Sequence, residues 1–153
     1  MTKAETLNQL RLAKAAHVSW VQRAKLLIEG FAINENSIPV NSTECGFGKW
    51  FYSDGQSLNC IRNIPIDCMQ DIETLHFNLH DIYLNIYRVY YNTDKQGFFS
   101  KMFGQKRKVT AAEIVLAKKY YDEMEQVSKA LVQSLNLMER RINVLSEKEI
   151  SSL

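Results

Sequence analysis

The apolar positions of this chain recur at steps of three and four over three long stretches. In the first, Leu7, Leu10, Ala13, His17, Trp20, Ala24 and Leu27 form one stripe, while Lys3, Arg11, Lys14 and Arg23 fall mostly off it. That period predicts a helix over about residues 2–31, ending near Gly30. Residues 32–44 read as a loop, because Asn34, Asn36, Ser37, Pro39, Asn41 and Ser42 are turn or cap formers. Ser42 or Thr43 is expected to cap a short second helix through Gly46–Tyr52, which Ser53-Asp54-Gly55 then ends. Residues 57–65 read as a further irregular stretch, with Pro65 suited to the first position of the next helix. That helix is predicted over 66–91, with Met69, Ile72, His76, Leu79, His80, Tyr83, Ile86, Tyr87 and Tyr90 on its inner face. A turn-like link at 92–108 contains Gly97 and Gly104. The last helix is predicted over about 110–148, opened by Thr110 with Glu113 three residues on. Its stripe runs from Ile114 through Ala117, Tyr121, Met124, Val127, Leu131, Leu135, Met138 and Ile142 to Leu145. Steps near 3.5 residues predict a partial coiled-coil seam and an end that protrudes.

Amphipathic helices with irregular links, and almost no strand-like alternation, predict an all-α fold. The expected architecture is an antiparallel four-helix-type bundle with a short extra helix that carries the Cys45 motif. It is read as one domain over 1–153, with its motif region at about 10–91. Six Gly and two Pro are too few turn residues for an all-β sandwich. Hydrophobic residues at 46% and charged residues at 24% exclude disorder of the chain as a whole. A net charge of +2 provides no strong field for nucleic acid or an anionic membrane. No apolar run approaches the roughly 20 residues that span a bilayer. The start of the chain lacks the apolar core of a signal peptide, so a cytoplasmic location is expected. Three cysteines, an odd count, do not outline a disulfide framework. In a reducing compartment each is a core residue, a metal ligand or a redox centre.

All three histidines lie on predicted inner helical faces. His76 and His80, four residues apart, stack one turn apart on the same side of their helix. Phe77 stands where a zinc protease of the His-Glu-x-x-His type carries Glu, so hydrolytic chemistry of that kind is excluded. His17 sits among apolar residues on the first helix, and Cys45 precedes a Gly-containing turn that leads to Trp50. A bundle can bring His17, Cys45, His76 and His80 together. Three imidazoles and a thiolate form a tetrahedral set suited to Zn²⁺, with no open position for substrate. Spacing alone leaves the plainer alternative open, in which these residues are core histidines and a small buried thiol.

Three elements carry a more specific signal: His17-Val18-Ser19-Trp20, then Cys45-Gly46-Phe47-Gly48-Lys49-Trp50-Phe51, then His76-Phe77-Asn78-Leu79-His80. Together they resemble the chemoreceptor zinc-binding domain family, with its early His and Trp, its Cys-x-x-Gly-Lys-Trp core and its later His-x-x-x-His. The resemblance covers about residues 10–91. It implies an antiparallel helical bundle with zinc held by His17, Cys45, His76 and His80. It also implies a role in chemoreceptor or cyclase signalling and oxidant sensing at the zinc-bound Cys45.

The expected function is therefore a zinc-dependent sensory or regulatory module, not an enzyme, acting through protein contacts. The expected partners are a second copy in a homodimer and a chemoreceptor, cyclase or other signalling protein. A zinc-storing or zinc-buffering protein is the alternative. Cys45 is also the redox-switch candidate, because an oxidant attacks a thiolate and weakens it as a ligand. Trp20, Gly48 and Trp50 are expected to pack around the site, with Gly46 and Gly48 permitting a tight turn or close approach. Lys49 is expected to be solvated, and Cys60 and Cys68 to be ordinary thiols. Tyr83, Tyr87, Tyr90 and Tyr91 read as core or a dimer interface. Phe98, Phe99, Met102 and Phe103 beside Lys101, Lys106, Arg107 and Lys108 read as apolar residues tucked under the bundle, or as a membrane or partner patch.

Overall fold

The structure is a computed structural model that describes residues 1–61, 66–91 and 108–152, without the side chain of Ile66. Pro65 and the aromatic and basic group at 98–108 therefore lie outside the described residues, except for Lys108 at its edge. Among the described residues there is no strand, and the fold is an all-α bundle. Its long members are α1 (Lys3–Ile28), α3 (Ile66–Tyr91) and α4 (Ala111–Val144), with a short α2 (Gly46–Phe51) and α5 (Glu147–Ser151).

Local chemistry sets the ends. Thr2 caps α1 by a reciprocal pair of hydrogen bonds with Glu5. At its other end Gly30 adopts a positive φ of 93°. The Phe31 N–H then reaches the Leu26 carbonyl at 2.9 Å and the Gly30 N–H the Leu27 carbonyl at 3.1 Å. That pairing is a Schellman stop, which a residue with a Cβ adopts only at a cost. Thr110 and Glu113 form the same kind of box at the start of α4.

The three stripes meet in one core. Leu10, Ala24 and Leu27 of α1, Ile72, Leu79 and Ile86 of α3, and Leu131, Leu135 and Met138 of α4 are all almost fully buried. Helix α4 packs along both α3 and α1. Lys14 meets Asn136 and Glu139, Arg11 meets Glu139, and Lys3 meets Asn143 and Leu145, so α4 runs antiparallel to α1. Helices α1 and α3 stand farther apart. They run in the same direction, since His17 faces His76 while the segment after α1 reaches Tyr87 and Tyr91. Parallel helices need a connection that travels back along the bundle. The segment from Glu29 onward does this, and it carries Cys45 past both helices.

Three expectations are corrected. The last helix does not continue to 148 and does not protrude. It stops at Val144, and Ser146 with Glu149 forms a capping box that opens α5. Helix α5 then folds against α1: Ile150 is fully buried, and the Lys3 N–H donates to Glu147 at 3.1 Å. The cap of α2 is neither Ser42 nor Thr43 but Cys45. Residues Asp54–Cys60 form a 3-10 helix where a turn and an irregular stretch were expected. It is held by side-chain to backbone bonds such as Ser57 Oγ to the Asp54 carbonyl at 2.7 Å and Gln56 Nε2 to the Phe51 carbonyl at 2.9 Å.

Candidate metal centre

Helix α3 presents His76 and His80 on one side because they are separated by one helical turn. Helix α1 presents His17 from across the gap, and the segment entering α2 presents Cys45. One donor atom from each lies within 4.8 Å of the others. All four residues are buried, with exposures of 0% for His17 and His76, 1% for Cys45 and 3% for His80. The imidazoles stand nearly perpendicular: the His17 and His76 planes cross at 87°, and those of His76 and His80 at 84°. Cys45 Sγ is 3.2 Å from His76 Nε2.

Two of the histidines have one nitrogen anchored and one presented. His17 Nδ1 donates to the Ala13 carbonyl at 2.6 Å, and His80 Nδ1 to the Pro39 carbonyl at 2.8 Å. With Nδ1 bearing the hydrogen, Nε2 of each ring carries a lone pair. Both Nε2 atoms are buried without a hydrogen-bond partner. Orphaned polar atoms of this kind are costly unless something fills their need. A metal ion does so, and a backbone carbonyl on the far ring nitrogen is the usual way to fix a metal-binding imidazole. His76 Nδ1 is also buried without a partner.

The electrostatics suit a cation. Burial pulls the His17 pKa down to about 4, against the opposing hydrogen bond to Ala13. Burial, with the neighbouring His17 and His80, pulls His76 down to about 3. Burial also lowers His80. The three rings are therefore neutral at pH 7 and offer lone pairs. Burial pushes the Cys45 thiol up, while hydrogen bonds from the backbone of Gly48 and Phe47 pull it back. A divalent cation would displace that thiol proton. Ligand atoms of a tetrahedral Zn²⁺ site sit roughly 3.3–3.7 Å apart, given its bond lengths. The Cys45–His76 edge is already that short, and the widest spacing exceeds it by only about 1 Å. The donor set fits zinc.

The surroundings are aromatic. Trp20 lies edge-on to His17 at 4.5 Å and to His80 at 5.4 Å between ring centroids. Phe47 does the same to His17 at 5.8 Å and His76 at 5.0 Å. Trp50 stands one layer out, 5.8 Å from Phe47. Gly48 has a clear reason: a Cβ there would lie 1.9 Å from the Ser42 carbonyl oxygen. Gly46, by contrast, has nothing within 4 Å of its would-be Cβ, so close approach does not explain it. Lys49 and Cys60 are exposed and Cys68 is buried. Sequence reasoning missed Phe47, whose position two residues after Cys45 is its only signal. It also missed the Ala13, Pro39 and Ser42 carbonyls, which no side chain reveals.

A buried cluster of three imidazoles and one thiol inside a helical bundle is a donor set that could hold a metal ion. The chemoreceptor zinc-binding domain family matches residues 17–87, a segment that contains all four donors. This is the family that the ordered His, Cys and His-x-x-x-His elements resemble, and zinc is its metal. No curated protein and no solved structure matches the chain. Among the described residues no helix is long and apolar enough to cross a membrane.

Proposed function

We propose that this chain is a zinc-dependent sensory or regulatory module whose metal ligands are His17, Cys45, His76 and His80. The observation that carries the reading is the convergence of four buried donors, two of them orphaned nitrogens, in a segment that matches a zinc-binding family. Four protein ligands leave no position for substrate, so the role is regulatory rather than catalytic. Bound zinc would supply a charge that keeps Cys45 as thiolate. The Ala13 and Pro39 carbonyls hold two tautomers, Trp20 and Phe47 exclude water, and the Gly48 N–H donates to Cys45 Sγ at 3.1 Å.

Output passes through protein contacts, in a homodimer or with a chemoreceptor, cyclase or other signalling protein in the cytoplasm. Cys45 is the switch. Hypochlorite converts its thiolate to sulfenic acid and releases chloride (Cys–S⁻ + HOCl → Cys–SOH + Cl⁻), which weakens it as a ligand. Two features support this. Cys45 is the one donor outside a long helix. A groove of about 310 Å³, lined by Ala13, Ala16, Trp20, Gly46 and Phe47 among others, lies beside it.

The test is elemental analysis of protein purified without chelator, followed by hypochlorite titration. About one zinc per wild-type chain is expected, with less in Cys45→Ser and His80→Ala. Wild type without zinc overturns the assignment. Equal responses of wild type and Cys45→Ser to hypochlorite overturn the switch, and a partner indifferent to zinc loading points instead to a zinc buffer.

A further inference from the structure

The segment between α1 and α2 lies as a strap along the same face of α3 that carries the two histidines. That face continues from His76 and His80 through Tyr83 and Tyr87 to Tyr91, in steps of three and four. The strap pairs with it in reverse order. Tyr91 Oη donates to the Ile33 carbonyl at 3.4 Å, Tyr87 Oη donates to the Glu35 carboxylate, and His80 Nδ1 donates to the Pro39 carbonyl at 2.8 Å. On the other side Arg23 of α1 donates to the Ser37 carbonyl at 2.7 Å, and Ile38 is buried between. A few residues on, Asn41 caps the Thr43 N–H at 3.0 Å and the Ser42 carbonyl lies 3.3 Å from Cys45 Sγ. One strap thus delivers both the carbonyl that orients His80 and the thiol.

Side-chain contacts at the far end of the strap set its register on α3. Glu35 sits in a 3-10 turn (Glu35–Ser37) capped by Asn34, so its carboxylate belongs to a short ordered unit rather than a free loop. Tyr87 remains a donor at any physiological pH, because the hydrogen bond to Glu35, with burial, pushes its pKa up to about 12. Tyr87 lies two turns along α3 from His80, on the same side.

We propose that Tyr87 and Glu35 are positioning residues for the metal centre. Their contact fixes where the strap lies on α3, and so where Pro39 meets His80 and where Cys45 enters the cluster. This inference rests on the metal assignment above. Tyr87 and Glu35 touch no ligand, and they act through the strap.

The experiment measures zinc affinity by chelator competition, and the ligand-field spectrum of the Co²⁺-loaded protein, for wild type and variants. Tyr87→Phe and Glu35→Ala each weaken zinc by about tenfold, the lower end of what loss of an outer-shell partner costs. The double variant weakens it no further, since both remove one contact. Glu35→Gln keeps an acceptor oxygen for Tyr87 and retains most of the affinity. Tyr121→Phe, on α4 and off the strap, serves as the control. It leaves affinity and spectrum unchanged whatever it does to melting temperature. If wild type binds zinc and Tyr87→Phe matches its affinity and spectrum, the positioning role is overturned. A wild type that takes up neither zinc nor Co²⁺ overturns the metal assignment instead.

Discussion

Replacing Gly48 by Ala sets a methyl carbon 1.9 Å from the Ser42 carbonyl oxygen, 2.9 Å from its carbon and 3.2 Å from Thr43 Cα. All three atoms are backbone, so no side chain can rotate away. Carbon and carbonyl oxygen rest comfortably at about 3.3 Å, so α2 and the Ser42–Thr43 turn must separate by about 1.4 Å. The Ser42 carbonyl and the Gly48 N–H are also backbone partners of Cys45 Sγ, at 3.3 and 3.1 Å. The separation therefore pulls on the thiol from both sides. Metal–ligand distances tolerate only about 0.2 Å. Overpacking of this kind costs about 1–3 kcal/mol, which is roughly 5- to 150-fold in an equilibrium constant. Gly48→Ala is expected to lower the melting temperature of the metal-free protein and to weaken zinc within that range. The thiolate-to-metal charge-transfer band of the Co²⁺ form should fade with it. Gly46→Ala is the matched control, since its Cβ meets nothing within 4 Å. A Gly48→Ala protein with the wild-type melting temperature and an intact charge-transfer band would refute the reasoning.

Other outcomes follow from the same contacts. Chelating free zinc that had been held at 100 times its Kd removes about 2.7 kcal/mol, or roughly 5–11 °C of melting temperature for a chain of this size; calorimetry showing no change would count against the site. Ile150→Ala, at a fully buried position where α5 meets the bundle, should cost about 2–5 kcal/mol in urea unfolding. A loss under about 0.5 kcal/mol, the usual range for surface positions, would mean that α5 does not dock there. The Glu139 carboxyl is held below its ordinary value by Lys14 first and then Arg11. Its contribution is therefore present above the unfolded-state pKa of about 4.3 and lost as pH falls through the folded value. Glu139→Gln should flatten the fall in stability between pH 5 and 3, with an effect at pH 7 of at most about 1 kcal/mol because Arg11 is 62% exposed. Identical slopes for the two proteins would contradict this.

The parts of the fold legible in the sequence are those where one local signal acts alone. The bounds of α3 follow from periodicity, the start of α4 from Thr110 and Glu113, and the end of α1 from Gly30. Ser146 and Glu149 spell the same capping box, but the apolar stripe runs on to Leu145 and masks it. The cap of α2 was hidden because sulfur is not among the usual N-cap acceptors. At the centre, the four donors were legible as residue types with an order and a spacing. The strap that brings the Pro39 carbonyl to His80 and carries Cys45 was not, because most of its bonds join backbone carbonyls to side chains far along the chain. Phe47 was obscured for a related reason: beside a conspicuous cysteine and glycine it reads as filler, and only the packed structure puts its ring against two imidazoles.

The parallel course of α1 and α3 bears on how the chain folds. Helices α3 and α4 are antiparallel and extensively packed, and fewer residues separate them than separate His17 from His76, so their pairing costs less closure entropy. Bringing His17 to His76 means closing everything between them, including the strap and α2, for few direct helix–helix contacts. Topology of this kind delays the non-local step. The packed α3–α4 pair is expected to form first, with His76 and His80 already one turn apart on it. Docking of α1 and the strap then completes the donor set last. The same hierarchy ranks local openings in the folded protein. Amide exchange should be fastest along the strap and α2 and slowest in the middle of α3 and α4, with metal slowing the first group most.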